Sequence, residues 1–115
     1  MKTVIYGIPN CDTMKKARAW LTDAGVDHHF HDYRTAGVDS GRLAGWAKSV
    51  GWEMLLNRNG TTFRKLPEQD KLGLDEARAL ELMRRHPALI KRPVLEYGTR
   101  LLVGFSPQEY AGLPR

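Results

Sequence analysis

One cysteine, Cys11, stands in a chain of 115 residues, and that scarcity removes whole classes of protein. A disulfide framework within the chain is impossible, and a zinc site built from several thiolates is excluded. Long apolar runs are missing as well, since no stretch approaches the ~20 residues needed to span a bilayer. The opening Met1-Lys2-Thr3-Val4-Ile5-Tyr6-Gly7 runs straight into a strand-like segment, without the apolar region and cleavage site of a secretory leader. Long runs of one charge are also absent. Lys and Arg outnumber Asp and Glu 18 to 13, a net charge of +5, yet they are scattered in short pairs such as Lys15-Lys16 and Arg84-Arg85. Neither an aromatic-glycine RNA-recognition signature nor zinc-finger spacing is present. The expectation is a cytoplasmic protein, acting as a monomer, with no nucleic-acid or membrane partner. What is there is globular in composition, 42% hydrophobic and 27% charged. The length predicts one domain, residues 1–115.

Hydrophobic spacing predicts the elements. Thr3, Val4, Ile5 and Tyr6 read as a short strand ending at Gly7. Ile8-Pro9-Asn10 reads as a loop with Asn10 as helix cap. Met14, Ala17, Trp20, Leu21 and Ala24 then follow helical spacing up to Gly25. Residues 26–33 have strand length and aromatic content, giving a βαβ opening. Residues 39–50 predict a helix capped by Asp39-Ser40, residues 52–56 a further helical turn, and residues 57–62 a loop. A helix over 75–86 is capped by Asp75 and stopped by Pro87. These segments hold too few apolar residues for a core of their own, so 39–90 is expected to be a helical insertion. Val94–Tyr97 and Arg100–Val103 around Gly98-Thr99 predict a hairpin. Ser106-Pro107-Gln108-Glu109 is a capping box that opens a last helix. The order β-α-β, helical insertion, β-β-α is that of the α/β thioredoxin-like fold, with a four-stranded mixed sheet.

Cys11 falls where the first strand hands over to the first helix. A thiolate there faces unpaired backbone N–H groups and the positive end of the helix dipole, and the thiolate is the nucleophile of disulfide exchange. Lys15, one turn on, adds a positive charge if it folds back, whereas Asp12 opposes the anion. A lone cysteine in other settings is most often a buried, inert small hydrophobe. The helix N-terminus favours the reactive reading here. Arg92-Pro93 opens the third strand, where a proline is ordinarily trans. Three histidines, His28, His29 and His31, lie together, but their spacing fixes no fourth ligand, so no metal is expected. Trp20, Trp46 and Trp52 fall on apolar helical faces and read as core.

The segment Gly7-Ile8-Pro9-Asn10-Cys11-Asp12-Thr13-Met14-Lys15-Lys16-Ala17 resembles the active-site segment of the arsenate-reductase-like (ArsC/Spx/YffB) family, nearest its YffB branch. His31-Asp32-Tyr33-Arg34, Leu55-Leu56-Asn57, Gly60-Thr61-Thr62-Phe63-Arg64-Lys65-Leu66, His86 to Pro93 and Val103-Gly104-Phe105 are similar to that branch too, in the same order. The resemblance covers almost the whole chain. It implies an active-site cysteine at Cys11 and a cis proline at Pro93. Arsenate reductases of the family hold the oxyanion with arginines, one of which is matched by Arg92. At the positions of two others this chain has Val103-Gly104 and Asn57, the latter with Arg58 beside it and Arg64 further along. Spx-type regulators carry a Cys-x-x-Cys switch, whereas Met14 stands at the second position here.

One thiol permits only a monothiol cycle. The resemblance implies a glutathione-dependent reductase that acts through Cys11 on a small-molecule or protein disulfide or other oxidised substrate. Glutathione is then a co-substrate, with no bound cofactor. Asn10, Asp12, Thr13, Lys15, Arg92 and Pro93 are the expected substrate- and glutathione-binding residues. The alternatives are an Spx-like binding protein that contacts RNA polymerase and a true arsenate reductase.

Overall fold

A computed structural model describes residues 2–114. The chain forms two compact units, one made of the residues up to Ala36 with those from Arg92 onward, the other of Gly37–Lys91. In chain order the first elements are β1 (Thr3–Gly7), α1 (Asp12–Asp23), β2 (His29–Asp32), α2 (Tyr33–Ala36), α3 (Ser40–Val50) and α4 (Trp52–Leu55). Then come α5 (Thr61–Arg64), α6 (Glu68–Lys71), α7 (Glu76–Arg85), a 3-10 turn at Pro87–Leu89, β3 (Val94–Tyr97), β4 (Arg100–Val103) and α8 (Pro107–Ala111).

The first unit holds a four-stranded mixed sheet in the order β2-β1-β3-β4, the thioredoxin-like arrangement. Strand β1 runs parallel to β2, with Ile5 opposite Phe30. It runs antiparallel to β3, with Ile5 opposite Leu95, and β3 pairs antiparallel with β4, Leu95 opposite Leu102. This register puts Phe30, Ile5, Leu95 and Leu102 in one row across the sheet, because residues paired across strands share a face. Met14, Ala17 and Leu21 of α1 and Tyr110 of α8 close over that row as one core cluster. Ile5 and Leu95 are completely buried, and each contributes about 1.5–3 kcal/mol by leaving water.

Helix α1 has a defined stop. The Gly25 N–H donates to Thr22 O and the Val26 N–H to Leu21 O, while Gly25 takes φ +72. That is a Schellman ending, in which glycine adopts the left-handed conformation at no steric cost. Helix α8 starts on Ser106, whose side chain accepts from the Glu109 N–H, with Pro107 in the first helical position. Trp20 and Phe105 meet the Tyr110 ring edge-on, with centroids 5.5 and 4.8 Å away, which fixes α8 against α1 and the chain that follows β4.

The second unit is helical. Asp39 caps α3 by accepting from the Arg42 N–H, and Asp75 caps α7 by accepting from the Arg78 N–H. Leu43, Trp46 and Ala47 of α3 and Ala79, Leu82 and Met83 of α7 are buried, together with Leu55, Leu56, Leu89 and Ile90. A one-residue bridge between Leu56 and Ile90 ties two segments of the unit together. It is flanked by bonds from the Asn57 N–H to Leu89 O and from the Lys91 N–H to Leu55 O, each 2.8 Å. Among the described residues no helix is long and apolar enough to cross a membrane.

Four expectations shift. The strand expected over 26–33 is confined to His29–Asp32, because the Asp32 carboxylate accepts from the Arg34 N–H and starts a helical turn at Tyr33. The loop predicted over 57–62 ends in the turn α5, whose Arg64 and Lys65 N–H groups bond Gly60 O and Thr61 O. The cap of α1 is Cys11 rather than Asn10, since the helix begins one residue later than an Asn10 cap requires. Finally, only Trp46 of the three tryptophans is fully buried; Trp20 and Trp52 keep an exposed edge.

Candidate active site

Cys11 occupies the N-cap of α1 with an extended backbone, φ −125 and ψ 126. Its carbonyl starts the helix by accepting from the Lys15 N–H at 3.0 Å. The Cys11 side chain makes no capping hydrogen bond. As a thiolate it takes the place a serine or aspartate side chain fills in an ordinary cap, with the Met14 and Thr13 N–H groups pointing at it. Partial burial pushes the thiol pKa up, but those two N–H groups and the Arg92 guanidinium, by hydrogen bond and by charge, outweigh it. The net direction is down, toward the reactive anion. The side chain packs on the core cluster yet stays half-buried.

The loop before Cys11 is held close by Gly7. A methyl group there would run into the Met14 side chain, so any residue larger than glycine makes the buried Met14 shift. Met14 itself is buried, 1% exposed. The position three residues past the cysteine is therefore a packing position, with no second thiol to close on Cys11.

Arg92 and Pro93 lie where β3 begins, and the peptide bond between them is cis. The Pro93 carbonyl accepts from the Gly104 N–H at 2.8 Å, extending the hairpin by one pairing beyond its strands. Gly104 takes φ +81, a conformation in which a side chain is strained, so an arginine does not fit there without moving the backbone. Asn57, at another of the family's arginine positions, uses its Oδ1 to accept from the Asn59 N–H at 3.1 Å. Arg58 lies over the Trp52 ring, 5.6 Å from its centroid.

Of the residues expected at the site, Cys11, Thr13 and Arg92 come together through the contacts on the thiol. Pro93 is buried beside Arg92 in the chain. Asn10, Asp12 and Lys15 are exposed on the loop and first turn. The cation acting on the sulfur is Arg92, not Lys15, whose side chain extends into solvent. Among the described residues no three of His, Cys, Asp or Glu form a metal-ligand group. His28 instead pairs its Nδ1 with Val26 O at 2.9 Å.

One residue escaped sequence reasoning. Tyr33 is completely buried at the start of α2 and lies within hydrogen-bond reach of the Arg92 guanidinium. Burial drives its hydroxyl pKa strongly up, against the pull of Arg92, so Tyr33 stays a neutral phenol. Arg92 thus stands between a thiol whose pKa it helps to lower and a buried phenol that shares its guanidinium. The signal was present in Asp32, a helix cap one residue before Tyr33, which the strand reading passed over.

A half-buried cysteine thus stands at the first helix of a thioredoxin-like sheet, with Arg92 acting on the thiol and a cis peptide bond between Arg92 and Pro93. The ArsC family profile matches residues 6–113, and the chain belongs to that family. It is an arsenate-reductase-like protein. A curated relative, an uncharacterized protein of Haemophilus influenzae, is 44% identical over 106 residues, covering 92% of this chain and 93% of its own. The solved structure of a YffB protein is 56% identical, covers 96% of both chains and superposes with a TM-score of 0.93. An arsenate reductase (ArsC) related protein from Brucella melitensis is also 56% identical, covering 96% of this chain and 92% of its own, with a TM-score of 0.76.

Proposed function

We propose that the protein is a monothiol reductase that uses glutathione as co-substrate, with Cys11 as its catalytic residue. The observation that carries this reading is the pairing of the only thiol with Arg92 and two helix N–H groups on a half-open surface. The Cys11 thiolate attacks the glutathione sulfur of a mixed disulfide R–S–SG. The old S–S bond breaks, RS⁻ leaves and takes up a proton, and Cys11 becomes the glutathione disulfide. A second glutathione, as thiolate, attacks the glutathionyl sulfur and returns Cys11 as thiolate, with oxidised glutathione released. The net exchange is R–S–SG plus one free glutathione thiol giving RSH and oxidised glutathione, the other half of that disulfide coming from the substrate. The Thr13 and Met14 N–H groups and Arg92 stabilise Cys11 each time it carries the charge.

Glutathione brings two carboxylates, which suit a positively charged surface. In this reading Arg92, Lys15 and the polar groups of Asn10 and Thr13 orient them, Asp12 receives the glutathione ammonium, and Pro93 shapes the groove floor. The reducing glutathione pool of the cytoplasm is the compartment the cycle needs.

Exposure to oxidised glutathione, followed by intact-mass measurement, tests this. A single glutathione adduct is expected on the wild-type chain and none on Cys11→Ser. The adduct should disappear on addition of reduced glutathione, with turnover of a glutathionylated peptide. Arsenate, offered with glutathione in a parallel assay, should turn over poorly, since the sequence has Asn57 and Val103-Gly104 at positions matching arginines of the family's arsenate reductases. Rapid arsenate turnover would replace the disulfide by the oxyanion as substrate. An adduct-free wild-type chain would remove the enzyme reading and favour a binding role such as contact with RNA polymerase.

A further inference from the structure

The helical unit carries a cavity of about 400 Å³ with an unbalanced wall. Lys65, at the end of α5, and Arg85 and His86, at the end of α7, line it together with the hydroxyl-bearing Thr62. None of these three basic side chains makes an ion pair among the described residues. The one carboxylate on the wall, Asp70, is already engaged by Arg78, with Nη2 to Oδ1 at 3.3 Å. Leu66 and Pro67 form the apolar part of the lining.

Basic residues at helix ends commonly complement the helix dipole, each on its own helix. Here the ends of two helices, 20 positions apart in sequence, bring two exposed cations to one open concavity, where their like charges add to a positive local potential. We infer that this cavity binds a small organic phosphomonoester. A phosphate monoester carries a charge of about −1.5 to −2 and three acceptor oxygens, enough for Lys65, Arg85 and the donors of His86 and Thr62. A single carboxylate would leave part of that charge unmatched. Leu66 and Pro67 offer surface to an apolar body, and the volume falls within the range of small-molecule sites. The inference stands apart from the chemistry of Cys11.

Titration of isotope-labelled protein with phenyl phosphate, followed by amide NMR, reads this out. Saturable shifts are expected at Thr62, Lys65, Arg85 and His86, in wild type and in Cys11→Ser alike. Inorganic phosphate and benzoate should bind more weakly. The exposed pair Lys65→Ala/Arg85→Ala should lose about tenfold or more in affinity, the loss of charge-assisted hydrogen bonds, with its own spectrum reporting that it is folded. Asp70→Asn, which removes the carboxylate from the wall, should bind more tightly. Shifts that never saturate, a double variant that binds like wild type, or inorganic phosphate binding as tightly as phenyl phosphate would overturn the inference.

Discussion

The two units reach stability by different routes. The sheet unit is assembled from residues far apart in sequence: Ile5 pairs with Phe30 on one side and Leu95 on the other. Its reactive group stands on that frame, with Cys11 from the N-terminal part and Arg92 from the C-terminal part of the chain. The helical unit instead rests on short helices started by local caps at Asp39 and Asp75, held together by packing and one bridge between Leu56 and Ile90 rather than by a sheet ladder. Long-range pairing fixes the thiol site to within one sheet register, since a one-residue slip would turn Ile5 to the other face. Local capping fixes only where each helix begins. A perturbation of the sheet unit should therefore be felt at the thiol, and one of a helix cap should show mainly as lost stability.

The sharpest break is Cys11→Ser. All mixed-disulfide formation should vanish while the thermal midpoint stays close to wild type, because serine is itself a good N-cap residue at the position Cys11 holds. Intact mass and a melting curve read the two halves together. Gly7→Ala comes next. The added methyl meets the sulfur of Met14 in a filled core, so a loss of about 1–3 kcal/mol is expected in urea unfolding, with slower Cys11 alkylation as the first turn of α1 shifts. Asp75→Ala, on the helical side, removes the cap bond to Arg78 and should cost about 1 kcal/mol without changing Cys11 alkylation. Equal effects of these last two on the thiol would erase the contrast between the units.

A smaller effect concerns alkaline pH. Burial raises the hydroxyl pKa values of Tyr33 and Tyr110 above the ordinary 10.0. A group whose folded pKa is raised adds stability that is complete below its unfolded value and is lost as pH climbs toward the folded one. The protein should lose stability progressively above pH 10, and Tyr33→Phe should flatten that slope, as followed by unfolding midpoints across the alkaline range.

How much of this was legible in the sequence follows the same division. Strands β1, β3 and β4 and the hairpin turn were readable because β-branched alternation and Gly98 are local signals. The two aspartate caps of the helical unit were readable for the same reason. Position-specific contacts were not. That Tyr33 meets Arg92 depends on a fold bringing residues 59 positions apart together, which no local pattern encodes. Arg92 itself entered only through resemblance, since Arg-Pro before a strand has an ordinary explanation. The cation-lined cavity was invisible for a related reason: Lys65 and Arg85 each look like a routine helix-end charge.

The central claim is that Arg92 and the start of α1 lower the Cys11 thiol pKa toward the reactive thiolate. The rate of iodoacetamide alkylation of Cys11, followed against pH in wild type and Arg92→Ala, tests it most directly. The account predicts a wild-type midpoint below the free-thiol value of ~8.5, and an upward move in Arg92→Ala that leaves a residual depression from the Thr13 and Met14 N–H groups. A wild-type midpoint at or above the free-thiol value, or one that Arg92→Ala leaves in place, would contradict it.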